Sequence, residues 1–174
     1  MQGDDGFEGA AELGGYFLAH AVWCIESGET LVPLVGHERD ATSEGERAFA
    51  LLRFEAPTQD EAIRNAEQWL GENRHDLARA VLIHDGYFTW AGNRRDALLA
   101  RVSDFHSRAR RFLEVVLPYR HANDEGGFAI HRPKVIRAGG LPETLTPIIQ
   151  AFYRGVDAHE EGKKSWTRHL DQGV

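Results

Sequence analysis

Cysteine is nearly absent from this chain: Cys24 is the only one among 174 residues. That excludes an internal disulfide framework and any cysteine-rich zinc site. Long apolar runs are missing as well. No uninterrupted stretch comes near the ~18 residues that a helical membrane span requires, so no membrane partner is expected. The opening residues Met1-Gln-Gly-Asp-Asp-Gly carry acids where a secretory signal has basic residues followed by an apolar stretch, and the expected location is the cytoplasm. Lysine is scarce, since 17 of the 20 basic residues are arginine, which reads as a bias of composition and not as a recognition device. Short motifs that carry chemistry are lacking too. The phosphate loop G-x-x-x-x-G-K-[ST], the G-x-S-x-G elbow, G-x-G-x-x-G and the spacings HxH and HExxH do not occur. No metal and no cofactor is therefore expected from spacing; a metal site assembled from distant members of the nine histidines is beyond what spacing can address.

What the chain does contain is enough for one folded domain. Its mass is 19.5 kDa, with 42% hydrophobic and 27% charged residues. Surface scaling for that mass gives roughly 8,500 Å² folded against roughly 28,000 Å² extended, so about 70% of the surface can be buried. The net charge of −7 is unevenly spread, with −9 over residues 1–60 and +3 over residues 61–137. An acidic protein is repelled by phosphate backbones at long range, and no nucleic-acid partner is expected. Arg108, Arg110, Arg111 and Arg120 are the dissenting feature. They read either as a local anion site or, more simply, as solvated arginines flanking a strand.

Residues 1–14 are rich in glycine and acids and read as a loose arm, followed by one α+β domain over 15–161 and a polar tail over 162–174. Tyr16–Ile25 (YFLAHAVWCI) is aromatic and β-branched. A helix over residues 10–25 is the alternative, since Leu13, Phe17, His20 or Ala21, and Cys24 also fit a helical face, but Gly14-Gly15 is a poor helix interior, which favours a strand. With the run after Gly28 it reads as a hairpin, in which Pro33 marks an edge strand or bulge. A third strand is expected over Arg47–Glu55. Thr58 and Glu61 form a capping box for a helix over residues 59–71, with Ala62, Ile63, Ala66, Trp69 and Leu70 as its apolar stripe.

Ala78–His84 is a continuous apolar run, as in a central strand covered on both faces, and resumes at Tyr87. Asp96–Phe105 returns after a turn at 91–94. Leu113, Val115, Leu117 and Tyr119 share one face of the next strand, and Phe128–Arg137 comes back along it, with Pro133 at an edge. Thr146-Pro147 opens a last amphipathic helix to about residue 160. The expected fold is α+β, a mainly antiparallel sheet of six to seven strands with two helices in the order βββ–α–ββββ–α. The phrases AHAVWCIESG (19–28) and ARAVLIHDG (78–86) suggest a degenerate internal duplication.

Two functional readings follow. One is a non-catalytic interaction or accessory domain that self-associates, since strands apolar on both faces, Tyr16–Ile25 among them, outnumber the helices able to cover them. A two-fold homodimer would supply the cover. The other is a small-molecule-binding protein or small enzyme with a pocket at His84-Asp85-Gly86-Tyr87. There a bulge at Asp85-Gly86 would re-aim His84 and the carboxylate into a cleft, with His84, Asp85 and Tyr87 as ligand-binding residues. The plainer alternative is a strand-end bulge satisfying local backbone groups. His20 reads as a core histidine, and Cys24 as a buried, inert thiol whose chain neighbours supply no base.

Overall fold

The computed structural model describes residues 6–39, 49–73, 76–106 and 110–171. Among them stand four helices and seven strands: α1 (Glu8–Ile25), β1 (Leu34–Arg39), β2 (Phe49–Arg53), α2 (Gln59–Glu72), β3 (Leu77–Trp90), β4 (Asn93–Asp104), β5 (Arg111–Arg120), β6 (Ala129–Ile130), β7 (Lys134–Gly139), α3 (Thr146–Ala158) and α4 (Glu160–His169). The strands form one antiparallel sheet in the order β2-β1-β3-β4-β5, with β6 and β7 both paired to β5. The α+β class and the antiparallel sheet agree with the expectation; the number and order of helices do not.

The largest correction is at the start of the chain. Tyr16–Ile25 belongs to an 18-residue helix, not to a strand, and that helix begins within the stretch expected to be a loose arm. Leu13, Phe17, Leu18, Ala21, Val22 and Ile25 are all buried, because α1 lies between the sheet on one side and α3 and α4 on the other. A helix buried on most of its surface is apolar on most of it, and over ten residues that pattern matches a two-faced strand. Gly14-Gly15, which argues against a helix on propensity, is what the packing needs. A Cβ on Gly15 would lie 1.8 Å from the Phe152 carbonyl oxygen, and one on Gly155 1.9 Å from that of Glu12. Helices α1 and α3 thus meet backbone to backbone, and their close contact outweighs a propensity cost of about 1 kcal/mol per glycine.

With α1 helical, the expected hairpin between residues 16 and 37 disappears. Pro33 sits just before β1, which is an interior strand between β2 and β3. The duplication fails too, since phrase 19–28 is largely helix and phrase 78–86 is strand. The expected tail contains α4, in which Gly162, Ser165 and Trp166 are buried. Most of the two-sided apolar pattern behind the expected homodimer is buried within one chain at Tyr16–Ile25, with Trp23 left exposed.

Other expectations hold. Helix α2 starts at the Thr58 cap, whose hydroxyl accepts from the Glu61 N–H at 3.2 Å, and ends with Asn73 in the left-handed region. It packs Ala66 on the sheet face opposite α1, over Val35, Ala80 and Leu82, with Trp69 and Leu70 flanking them. Leu113, Val115, Leu117 and Tyr119 do share the α1 face of β5. Helix α1 therefore covers one face, with α3 and α4 stacked on it, α2 covers part of the other, and the long β3–β4 hairpin reaches past both sets. Its tip is the two-residue turn Ala91-Gly92, both at positive φ, as a tight hairpin requires.

Candidate functional site

On the α1 face, side chains alternate along β3, so Val81 and Ile83 enter the core, and Asp85 and Tyr87 follow on the same side. Beyond Ile83 the helices no longer cover the sheet, and β3 changes from buried to exposed. A cavity of about 440 Å³ opens there. Tyr87 from β3, Arg94, Arg95 and Asp96 from β4, and Tyr119 and Arg120 from β5 form its floor and one wall. Asp124, His131 and Asp171 close it from the loop after β5, the segment after β6 and the end of the chain. Backbone bonds bring these last groups in: His131 N–H donates to the Pro118 carbonyl at 2.9 Å and Asp171 N–H to that of Ile130 at 2.8 Å.

Several parts of this site are held firmly. The Tyr119 hydroxyl donates to the Asp85 carboxylate, at 2.9 Å from Oδ1 and 3.0 Å from Oδ2, and Oδ1 also accepts from Gly86 N–H. Burial pushes the Asp85 carboxyl up from its ordinary value, with Asp96 adding repulsion and the two hydrogen bonds opposing. Burial and the nearby Asp85 carboxylate hold the Tyr119 phenol far above its ordinary range, so it stays a donor. Arg120 Nε donates to the Gly127 carbonyl at 2.7 Å and Nη2 to that of Gly126 at 3.1 Å. Gly126, at φ +90, would bring a Cβ within 3.1 Å of the Arg120 guanidinium carbon, so a side chain there would crowd the arginine. The Arg94 guanidinium lies over the Tyr87 ring, 3.7 Å from its centre.

His131 is the least satisfied group of the site. It is 3% exposed, and its Nδ1 is buried without a hydrogen-bond partner. Burial, with Arg95 next, pushes its pKa down, so the ring is neutral at pH 7. A buried polar atom without a partner costs about 1–3 kcal/mol and calls for an explanation.

The structure separates the residues expected to act together. Tyr87 lines the cavity, Asp85 lies behind it on Tyr119, and His84 faces the other side of the sheet. There it borders a smaller cavity of about 180 Å³ with Glu67, Leu82, Leu99 and Arg101. The bulge expected at Asp85-Gly86 is absent, because β3 and β4 pair in unbroken register from Arg79↔Asp104 to Trp90↔Asn93. Without a bulge, neighbours point to opposite faces. His84 Nδ1 lies 3.0 Å from the Asp85 carbonyl, which also accepts from Gln59 Nε2 at 2.7 Å. This carbonyl is on the edge of β3 that β1, ending opposite Ile83, leaves unpaired. His84 thus serves the backbone. Sequence reasoning missed Arg94, Arg95, Asp96, Tyr119, Asp124, His131 and Asp171, whose spacing follows no motif. Of the arginine run, Arg108 lies outside the described residues, and only Arg120 reaches this cavity.

A second cluster joins α1 to α4. His20 Nδ1 lies 3.0 Å from His159 Nε2, and Cys24 Sγ lies 3.5 Å from His20 Nε2. A base does therefore stand beside the thiol, contrary to the reading from its chain neighbours. The proton is on the wrong nitrogen, however. His159 Nδ1 accepts from Gly162 N–H at 2.9 Å as the cap of α4, so the neutral ring carries its proton on Nε2 and donates to His20. His20 then carries its proton on Nε2, facing the sulfur, and has no lone pair there to take up the thiol proton. Burial pushes the Cys24 thiol up and both histidines down, so the cluster is neutral at pH 7. No group of three or more His, Cys, Asp or Glu among the described residues is arranged to hold a metal ion. No described helix is long and apolar enough to cross a membrane.

No family model matches this chain, and neither does any curated protein or solved structure.

Proposed function

We propose that this protein binds a small polar molecule in the cleft beside the β3–β4 hairpin. The observation that carries this reading is His131, almost fully buried in the cavity wall with an unpartnered Nδ1. The volume of about 440 Å³ falls in the range usual for small-molecule sites, and a few polar groups converge on it from separate elements. Tyr87 is then a contact residue, Asp85 holds Tyr119 in place, and His84 takes no part. Among the described residues no nucleophile is paired with a competent base, and the proposal is one of binding.

The test is chemical-shift mapping of a small-molecule fragment library on labelled protein. Compounds that bind should perturb Tyr87, Tyr119 and His131 together, and His131→Leu should abolish those shifts while leaving the rest of the spectrum folded. Hits confined to the His84 face, or none, would overturn the reading. A self-associating accessory domain is the weaker proposal, because its strongest argument took Tyr16–Ile25 for a two-faced strand. Sedimentation equilibrium at micromolar concentration reads it directly, with a 19.5 kDa species as the outcome against it.

A further inference from the structure

The cleft is lined by three arginines, Arg94, Arg95 and Arg120, and three aspartates, Asp96, Asp124 and Asp171. Elsewhere in this protein, neighbouring charges pair: Arg79 with Glu38, Arg111 with Asp104, and both Arg101 and Arg137 with Glu114. Here no ion pair joins Arg94, Arg95 or Arg120 to Asp96 or Asp124. A purely anionic ligand would meet the aspartates at close range, and a purely cationic one the arginines. A lining with arginines and with aspartates that they do not pair, Asp96 and Asp124, complements a neutral molecule that carries both charges.

We infer that the ligand is a small zwitterion bearing a carboxylate and an ammonium group, of the amino-acid type; the inference rests on the binding reading above.

The carboxylate end is furnished by Arg94 and Arg120. Stacking on Tyr87 fixes the plane of the Arg94 guanidinium and leaves its N–H edge free for a two-pronged contact with a carboxylate. Arg120 is held through Nε and Nη2 by two loop carbonyls, so its Nη1 donors are already oriented. The ammonium end is furnished by Asp96, which stands directly across from Tyr87 in the sheet. Asp96 raises the cost of ionising both Asp85 and Tyr119, so a cation bound there relieves an existing repulsion. The buried His131, with its unpartnered Nδ1, supplies a further polar group in the same cavity wall.

The test is calorimetric titration at low salt with the twenty common L-amino acids. For the tightest binder, the matching amine without the carboxylate and acid without the amine follow. The intact amino acid should bind at least tenfold more tightly than either half. Arg94→Gln should weaken the amino acid and the acid half by tenfold or more while leaving the amine half unchanged; Asp96→Asn should do the reverse. Both positions are near the hairpin tip, and thermal unfolding confirms that the variants are folded. Equal binding of the acid half and the amino acid would overturn the inference in favour of an anion site, and equal binding of the amine half in favour of a cation site. If fragments perturb Tyr87 and His131 but no amino acid binds, the inference falls and the binding site stands. If nothing perturbs those residues, both fall.

Discussion

The two ends of the α1 face of the sheet treat charge in opposite ways. At the end where β1 is present, Glu38, Arg79, Asp104 and Arg111 are opposite one another in register across four strands. Their signs alternate, and Glu38, Arg79 and Asp104 are buried. Arg79 Nη1 lies 3.3 Å from Glu38 Oε2, Arg111 pairs with Asp104, and Asp104 Oδ1 accepts from His106 N–H at 2.9 Å. At the other end, where β1 has stopped, Arg94, Arg95 and Arg120 border a cavity with Asp96 and Asp124 and make no ion pair with either. Charges on one sheet face are thus paired in register where the packing is closed, whereas Asp96 and Asp124 are not paired with the arginines where it is open. The closed row specifies the fold; the open end is where a ligand can gain binding energy by satisfying groups the fold has left unsatisfied.

Breaking the closed row should have the largest effect. Arg79→Met takes the guanidinium away from the buried Glu38 carboxylate, with an expected loss of about 3–5 kcal/mol in urea unfolding. Adding Glu38→Leu should recover most of that loss, because the stranded charge is then gone. A loss under 1 kcal/mol in the single variant would show that the row is solvated and that the contrast is false.

The next effect belongs to the open end. Tyr119→Phe removes the donor that both Asp85 oxygens share, and a loss of about 1–3 kcal/mol is expected. It should come with a higher Asp85 pKa in carboxyl titration by NMR, since that hydrogen bond opposes the rise caused by burial.

Stability against pH sharpens the comparison through the histidines. Burial lowers the pKa values of His20, His131 and His159 below 6.5 in the folded protein. Below that value the unfolded chain binds more protons, so stability should be complete above about pH 6.5 and fall as pH drops toward the folded values. For His159 the fall includes loss of the α4 cap, because a protonated Nδ1 cannot accept from Gly162 N–H. In His131→Leu the decline should be shallower. Unfolding midpoints independent of pH between 5 and 7 would refute the burial of these rings.

The smallest effect on stability should come from Arg94→Ala. The residue is exposed and stacked on one ring, so a loss below about 1 kcal/mol is expected in the same urea experiment. Its ligand affinity should nonetheless drop. A destabilisation as large as that of Arg79→Met would show that the arginines of the open end are structural after all.

Much of the architecture was legible because it rests on local rules. Thr58 and Glu61 announce α2, and the alternation from Leu113 to Tyr119 announces both β5 and the face it buries. The turn at Ala91-Gly92 was readable for the same reason. Helix α1 was not, because Gly14 and Gly15 oppose a helix locally and are justified only by Val102 and Phe152, which are 88 and 137 residues further along the chain. Helix α4 was hidden by its polar composition, since burying only Gly162, Ser165 and Trp166 leaves no apolar stripe to read.

The sequence by itself determined the α+β class, the antiparallel strands, the cap and stripe of α2 and the inward face of β5, all of which depend on residues a few positions apart. The tertiary structure alone decided where β1 ends against β3, and hence where the sheet face opens. It separated His84 from Asp85 and Tyr87 by keeping β3 regular, and it brought Arg94, Tyr119, His131 and Asp171 to one cavity from four distant segments. Strand alternation tells which side of a sheet a residue takes; only the packed fold tells what, if anything, covers that side.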